Sequence, residues 1–130
     1  MTTDIFTVHK DDIIDLVVDM MDWRKIRYTP VEDKEGKLIG LVTLRIVLRH
    51  LLKARKQLGN EPPEVLTVKD IMIHEPTTID PNATLVEAMT IMRQKQIGCL
   101  PVVQNGELIG IITEMDFLKI SGRLIERLES

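Results

Sequence analysis

Two stretches of the chain carry the same helical pattern of apolar residues, 71 positions apart. In each stretch the apolar residues recur at i, i+3, i+4 and i+7, which is the spacing of one buried helical face. They are Ile14, Val17, Val18 and Met21 in the first stretch, and Leu85, Ala88, Met89 and Met92 in the second. Asp11 or Asp12 is expected to cap the first helix, and Thr84 with Glu87 predicts a capping box for the second. We therefore expect two equivalent helices, each with its apolar set in the core.

Short runs of apolar and β-branched residues around both helices predict strands. The expected strands are residues 5–8, 26–31 and 37–43 in the first half, and residues 77–79, 97–103 and 107–113 in the second. Turns at Gly36 and Gly106 join the last two strands of each half as a hairpin. An amphipathic helix is expected after Thr43, and another from Met115 that Gly122 interrupts. The apolar side of the helix after Thr43 comprises Leu44, Val47, Leu48, Leu51, Leu52 and Leu58.

The two halves are duplicated in sequence as well as in pattern. Pro30-Val31 precedes the string Gly-x-Leu-Ile-Gly-x-x-Thr at residues 36–43, and Pro101-Val102 precedes the same string at residues 106–113. The one-residue difference in spacing falls in a turn, where changes of length are tolerated. A repeat of this period marks two similar units that bury a face against each other. We therefore predict a mixed α/β (α+β) fold of two pseudo-symmetric βαββα repeats packed through their sheets.

The segment from Gly59 to Pro63 is the best break in the chain. Gly-Asn ends a helix, and two consecutive prolines cannot continue one. We predict a first repeat at residues 1–58, a linker at 59–67 and a second repeat at 68–130. The second repeat begins with a preface, residues 68–72, whose counterpart in the first repeat would fall before Met1. Either the chain is a piece of a longer one, which we favour, or its N-terminus is unusually short.

Composition narrows the class of protein. Of the 130 residues, 44% are hydrophobic and 28% are charged, a balance typical of a globular domain. The net charge of -3 argues against a nucleic-acid partner, and no apolar run approaches the roughly 20 residues that span a bilayer. Cys99 is the only cysteine, so a reducing, cytoplasmic setting is expected. The three histidines lack metal-ligand spacing and no catalytic motif is present, so we expect neither a metal site nor an enzyme.

Several separated motifs of the second half occur together in a fixed order. They are Val68-x-Asp70-Ile71-Met72, Pro76-x-Thr78-Ile79, Thr84-Leu85-x-Glu87-Ala88-x-x-x-Met92, Leu100-Pro101-Val102-Val103 and Gly110-Ile111-Ile112-Thr113-x-x-Asp116. Their order and spacing closely resemble the CBS domain, named after cystathionine β-synthase. The first half resembles the same domain more loosely. Over nearly its whole length, the chain is similar to a CBS pair, or Bateman module.

The resemblance implies a regulatory module that binds an adenosine-containing ligand in a cleft between the repeats: AMP, ADP, ATP or S-adenosylmethionine. The ligand motif of the family is Gly-h-x-Thr/Ser-x-x-Asp, with h apolar, and the second repeat matches it at residues 110–116. Thr113 stands where a strand passes into a helix, so its hydroxyl and the free amides there can face a phosphate. Asp116 can accept both hydroxyls of a ribose. The first repeat has Ile46 in place of this aspartate, so we expect a working site only in the second.

The same resemblance implies that the backbone of the strand at 97–101 flanks the adenine, and Lys119, three residues past Asp116, is a candidate phosphate clamp or docking residue. The ligand-binding set is Thr113, Asp116, Thr77, Gly98, Cys99, Leu100, Pro101 and Lys119. Plainer roles remain open for some of them. Thr113 and Asp116 fit the start of a helix, Cys99 fits a small buried residue, and Lys119 fits a solvated cation.

The resemblance also implies partners. A CBS pair is expected to form a homodimer and to modulate an attached or associated enzyme or transporter, with no required cofactor, no nucleic acid and no insertion into a membrane. A function of another class remains open, namely an interaction module that dimerises without any small ligand. The incomplete motif of the first repeat favours this alternative.

Overall fold

The chain divides into two units that each contain one of the repeats. The computed structural model describes residues 3–56 and 65–129. One unit is Phe6–Pro76, and the other runs from Thr77 onward and includes residues 3–5. Within the described residues both units combine helices with antiparallel strands, so the predicted mixed α/β fold is confirmed.

The first unit has a three-stranded antiparallel sheet flanked by helices. Its elements are α1 (Ile14–Arg24), β1 (Tyr28–Glu32), β2 (Leu38–Thr43), α2 (Leu44–Lys56), α3 (Val68–Ile71) and β3 (Ile73–His74). The strand order is β1-β2-β3, and Val8 forms a single parallel bridge to Val31 of β1. The buried residues Val17, Met21 and Val42 lie in the apolar core between the helices and the sheet.

The second unit repeats this plan with a hairpin in place of the three-stranded sheet. Its elements are α4 (Leu85–Lys95), β4 (Cys99–Gln104), β5 (Glu107–Thr113) and α5 (Glu114–Glu129). Ile79 forms a parallel bridge to Val102 of β4, just as Val8 does to Val31. Ala88, Met92 and Leu100 lie in its core.

The duplication extends to individual backbone conformations. Lys25 and Gln96 end α1 and α4 in the left-handed conformation. In each hairpin the register of strand pairing shifts two residues after the equivalent proline. The shift falls at Glu32, after Pro30, in β1–β2 and at Val103, after Pro101, in β4–β5. These backbone conformations depend on both local sequence and packing, so their recurrence shows that the two repeats have equivalent local structures.

Several sequence-based expectations about the elements are wrong in detail. The strands expected at residues 5–8 and 77–79 are reduced to single bridges at Val8 and Ile79. Neither Asp11 nor Asp12 caps α1: the helix starts after Ile13 without a side-chain cap, and the Asp12 carboxylate accepts the His9 N–H instead. Helix α5 continues through Gly122, because helical neighbours on both sides outweigh the glycine's cost of about 1 kcal/mol. The capping box of Thr84 and Glu87 is confirmed.

The helical faces are less fully buried than their spacing predicts. Ile14, Val17 and Met21 are buried in α1. In α4 only Ala88 and Met92 are buried. Leu85 and Met89 are 45% and 48% exposed, so the prediction that these two residues lie in the core is wrong. Leu85 is the first residue of its helix, where no preceding turn covers it. On α2, Val47 is buried while Leu48 and Leu52 are exposed, and Leu58 lies outside the described residues.

The preface of the second repeat packs into the first unit. Val68 and Ile71 of α3 belong to the core of that unit, and β3 pairs with β2 at Gly40 and Leu41. The Val68 N–H donates to the Asp12 carbonyl at 2.9 Å. The boundary in sequence at residue 68 therefore differs from the boundary in packing after Pro76. The proposed break at residues 59–63 lies outside the described residues.

Candidate functional site

The start of α5 is organised by the two residues that carry the ligand motif. Thr113 is the last residue of β5 and directly precedes α5. The Thr113 backbone N–H donates to Oδ2 of Asp116, with the nitrogen and oxygen 2.8 Å apart. Both residues are half-buried. Asp116 thus satisfies an amide that would otherwise be unpaired at a helix start, and its side chain is held in one place.

The beginning of β4 lies directly beside this helix start. Cys99 is the partner of Thr113 in the β4–β5 ladder, and the Glu114 N–H donates to the Gly98 carbonyl at 2.9 Å. These contacts bring Gly98, Cys99, Thr113 and Asp116 of the predicted site together. Because the contacts are backbone pairings of one hairpin, the arrangement follows from the fold of the repeat alone.

The Cys99 thiol is buried against two carboxylates. Burial, together with the negative charges of Asp116 and Glu114, raises the pKa of Cys99 to about 12. A thiol with such a pKa is protonated at neutral pH and is a poor nucleophile. Cys99 is therefore not expected to react as a nucleophile, and its place in the ligand-binding set stays a prediction.

Two of the predicted site residues are fully covered by the core. Leu100 and Pro101 are among the most completely buried side chains, and Leu100 packs in the core of the second unit. The Pro101 carbonyl accepts the Ile79 N–H at 3.0 Å, which ties the segment after Thr77 to β4. Their side chains have no exposed surface to offer a ligand, so their place in the ligand-binding set stays a prediction that concerns the backbone of β4.

Thr77 and Lys119 lie at the surface of the second unit. The Thr77 hydroxyl accepts a hydrogen bond from Nζ of Lys95 at 3.3 Å, and Thr77 itself is half-buried. Lys119 is exposed one turn beyond Asp116. Lys95 and Glu114 belong to no motif in the sequence: both stand at helix ends, and only the folded structure brings them to Thr77 and Gly98.

The first repeat has the same scaffold with different side chains. Tyr28 pairs with Thr43 in the ladder, and the Leu44 N–H donates to the Arg27 carbonyl at 2.8 Å. Here the direction of the cap is reversed: the Thr43 hydroxyl accepts the Ile46 N–H at 3.2 Å. Ile46 has no atom that can accept a hydrogen bond from a sugar, so this position lacks the chemistry of Asp116.

Metal-binding clusters and membrane-spanning helices are both absent from the described residues. Across residues 3–56 and 65–129, no cluster of three His, Cys, Asp or Glu side chains is arranged to hold a metal ion. Within that same part of the chain, none of the helices has the length and apolar content needed to cross a membrane.

Comparison with known sequences identifies relatives of two kinds. The chain is 30% identical to a CBS domain-containing protein of Dictyostelium discoideum over 97% of this chain and 90% of that protein. It is 32% identical to the inosine-5'-monophosphate dehydrogenase of Methanocaldococcus jannaschii over 89% of this chain. That match spans only 21% of the dehydrogenase. The same sequence unit therefore occurs in a protein of similar length and as a small part of a long enzyme.

Several solved structures have the same fold as this chain. A Vibrio cholerae protein whose proposed role is acetoin utilization (AcuB) superposes with a TM-score of 0.87 at 30% identity, over 100% of this chain and 93% of that one. The CBS domain pair of protein MJ0100, in complex with 5'-methylthioadenosine and S-adenosylmethionine, has a TM-score of 0.81 at 21% identity, over 94% and 91%. CBSX2 in complex with AMP has a TM-score of 0.80 at 23% identity, over 95% and 93%.

The family itself is shown by the sequence. The model of the CBS domain family matches residues 1–53 and again residues 68–123. These two matches cover most of the chain, and they coincide with the two repeats that the duplicated motifs define. The chain therefore belongs to the CBS domain family and contains two copies of the domain.

Proposed function

We propose that this chain is a regulatory module that binds an adenosine-containing ligand at the second repeat and thereby modulates an attached or associated enzyme or transporter. The observation that carries the proposal is the position of Asp116. Its carboxylate is fixed by the Thr113 N–H at the start of α5, beside β4, and is only half-buried. The candidate ligands are AMP, ADP, ATP and S-adenosylmethionine, as effectors and not as required cofactors.

The chemistry of the two motif residues suits a nucleoside. Asp116 uses Oδ2 for the Thr113 amide, and within the described residues Oδ1 has no hydrogen bond, so this oxygen is available to a ribose hydroxyl. The Thr113 hydroxyl likewise has no partner among the described residues and is half-buried beside it. A sugar with adjacent hydroxyls needs an acceptor of this kind in a fixed position.

The structural comparisons support the fold in which such ligands are held. The pairs solved with 5'-methylthioadenosine and S-adenosylmethionine, and with AMP, have the same architecture as this chain. At 21% and 23% identity they carry the fold only, so the ligand class rests on residues 110–116 of this chain. The match within a dehydrogenase of much greater length supports a role beside an enzyme. The buried free thiol of Cys99 supports a cytoplasmic location.

A binding experiment with a matched variant tests the proposal. Thermal unfolding is followed with adenosine, 5'-methylthioadenosine, S-adenosylmethionine, AMP and ATP. A ligand at about 100 times its Kd stabilises the protein by about 2.7 kcal/mol. Asp116→Asn keeps an oxygen for the Thr113 amide but removes the charge, so the shift should fall sharply. Guanosine compounds serve as the ligand control. Absence of a shift with every adenosine compound would contradict the proposal.

Assembly as a homodimer is part of the same proposal, and the outer helices of the first unit support it. Leu16 and Trp23 project from α1 at 62% and 76% exposure, and Leu48 and Leu52 are exposed on α2, which packs beside α1. Exposed apolar side chains in such a group mark interaction surfaces.

The charges on these two helices favour a second copy as the partner. Exposed Asp15 and Asp19 lie on α1, whereas exposed Arg45 and Arg49 lie on α2. A two-fold axis would set the acidic helix of one copy against the basic helix of the other. If ligands fail to bind while dimerisation persists, the second candidate function, a ligand-free dimerisation module, is favoured. Sedimentation of Asp19→Arg, of Arg49→Asp and of the double variant tests the surface: each single change should weaken the dimer, and the double change should restore it.

A further inference from the structure

The start of α1 in the first unit is covered by a segment from a distant part of the sequence. The Ile14 N–H donates to the Leu66 carbonyl at 3.0 Å, and the Asp12 carbonyl accepts the Val68 N–H at 2.9 Å. Val68 lies in the same apolar core as Ile14, which is only 4% exposed. Residues 66–71, the covering segment, therefore supply both the backbone partners and the apolar cover for this helix start.

The start of α4 in the second unit has the same backbone groups without such partners. By the offset of 71 positions between the repeats, Ala83 and Leu85 correspond to Asp12 and Ile14. Among the residues that the structure describes, neither the Ala83 carbonyl nor the Leu85 N–H takes part in a hydrogen bond. One acceptor and one donor of the backbone are thus left to solvent at the point where the first unit pairs both.

Three apolar side chains stand at the surface beside these backbone groups. Leu85 is 45% exposed, although it occupies the helical position of the buried Ile14. Val86 and Met89 lie on the same side of α4 and are 71% and 48% exposed. Adjacent apolar side chains at the surface mark an interaction site. We call Leu85, Val86 and Met89, with the two unpaired backbone groups, the α4 surface.

The N-terminal residues of the chain indicate from where a cover would come. Residues 3–5 belong to the second unit, although they precede the first unit in sequence. By the same offset they correspond to residues 74–76, which follow the covering segment and belong to the first unit. The repeats therefore exchange these segments. Shifted by 71 positions, the covering segment itself falls directly before Met1.

We propose that the α4 surface is a docking site for a polypeptide segment that is joined to the N-terminus of this chain and has the chemistry of residues 66–71. Such a segment offers a carbonyl to the Leu85 N–H, an N–H to the Ala83 carbonyl, and one helical turn with apolar side chains at i and i+3. Neither an acyl chain nor a small apolar molecule supplies these backbone groups. The covalent link raises the effective concentration of the segment, because residues 3–5 already belong to the second unit.

An N-terminal extension of the full chain tests the proposal. A copy of residues 65–71 is placed directly before Met1, so that the copied Ile71 precedes Met1 as Ile71 precedes Met72. The thermal midpoint should rise by at least about 3 °C. Hydrogen exchange of the Leu85 amide should slow by at least about tenfold, because this amide gains a partner. A midpoint and a Leu85 exchange rate that both stay unchanged would overturn the proposal.

A second extension controls for added length. It carries Val68→Asp and Ile71→Asp in the copied residues only, so it has the same length without the apolar pair. It should raise neither the midpoint nor the protection of the Leu85 amide. An equal gain from this extension would show that the α4 surface does not select an apolar turn, and would overturn the proposal.

A substitution on the surface itself locates the contact. Leu85→Ser should change the stability of the unextended chain little, since the side chain is exposed, but should remove much of the gain in the extended chain. Leu118→Ser, at an exposed position of α5, is the matched control and should leave the gain intact. If Leu85→Ser instead dissociates a dimer of the unextended chain in sedimentation, a second copy covers the surface and the proposal is overturned. No nucleotide enters these measurements, so their outcome is independent of the proposed function.

Discussion

Oδ2 of Asp116 lies 2.8 Å from the backbone nitrogen of Thr113, so the residue proposed to hold a ribose also holds the first turn of α5. The two roles use different properties of the side chain. The cap needs only an oxygen acceptor, whereas a strong bond to a sugar hydroxyl benefits from the charge. Replacing Asp116 by alanine would remove both at once, so variants are needed that separate them.

Asp116→Asn and Asp116→Ala should have different effects on stability. The asparagine keeps an acceptor for the Thr113 amide, so its free energy of unfolding should stay close to that of the unmodified protein. The alanine should lose about 1 kcal/mol, because an amide at the helix start is left without a partner. Both variants should bind adenosine compounds about 10- to 100-fold more weakly. Urea unfolding and calorimetry measure the two effects; equal stabilities for the two variants would contradict the capping role.

Thr29→Val should stabilise the protein. Thr29 is completely buried in β1, and its hydroxyl has no hydrogen-bond partner in the part of the chain that the structure describes. Its counterpart in the second repeat is the apolar Leu100. Valine has the same shape without the unpaired oxygen, so the free energy of unfolding should rise by about 1 kcal/mol. The exposed Thr78→Val is the control and should change little; a loss of stability in Thr29→Val would show that the hydroxyl is satisfied.

Gly40→Ala and Gly122→Ala should shift stability in opposite directions. A Cβ at Gly40 would lie 2.5 Å from Sδ of Met72 and 3.1 Å from the Ile73 carbonyl oxygen. The sulfur can move but the backbone of β3 cannot do so freely, so we expect a loss of about 1–3 kcal/mol. At Gly122, within α5, a Cβ has open space around it. Alanine there should gain up to about 1 kcal/mol from helix propensity. Urea unfolding of both variants checks the signs.

The capping box at the start of α3 should make stability depend on acid pH. The Thr67 N–H and hydroxyl both donate to Oδ2 of Asp70, and these bonds hold the pKa of Asp70 below its usual value of 3.8. A carboxylate with a lowered folded-state pKa stabilises fully above the unfolded pKa and loses this contribution as pH falls through the folded pKa. Asp70→Asn should therefore be less stable than the unmodified protein at neutral pH. The difference should vanish below the usual carboxyl range, as urea midpoints across pH would show. A constant difference at all pH values would exclude the ionised form as the cause.

Cys99 should resist thiol reagents while the protein is folded. With a pKa of about 12, only about one thiol in ten thousand is ionised near pH 8, and the side chain is buried. Labelling should be slow in buffer and complete within the dead time of mixing in strong denaturant. The rate in buffer should rise with urea in parallel with unfolding. Rapid labelling of the native protein would show that β4 opens locally.

Much of the fold follows from local patterns, and the exceptions have physical causes. The capping box of Thr84 and Glu87 and the hairpin turns at Gly36 and Gly106 depend on neighbouring residues only, and each is found in the structure. The exposure of Leu85 and Met89 could not be predicted, because helical spacing shows which residues share a face but not how far the sheet covers it.

The site shows the same division between local and tertiary information. The string Gly110 to Asp116 marks the turn from β5 into α5, and the structure places Thr113 and Asp116 there, in hydrogen-bond contact. The direction of that contact depends on which side chain has an acceptor, so it is opposite at Thr43 and Ile46. The contact between Lys95 and Thr77 joins residues 18 positions apart, and no local pattern predicts it.

The placement of α3 and β3 has a practical consequence for anyone who wishes to express one half alone. A truncation designed from the family match would begin at residue 68 and remove Val68 and Ile71 from the core of the other half. It would also strip the partner strand from β2 and leave a bare hydrogen-bonding edge, which is a template for aggregation. Cutting after Pro76 keeps that edge covered and is the better site for a soluble fragment.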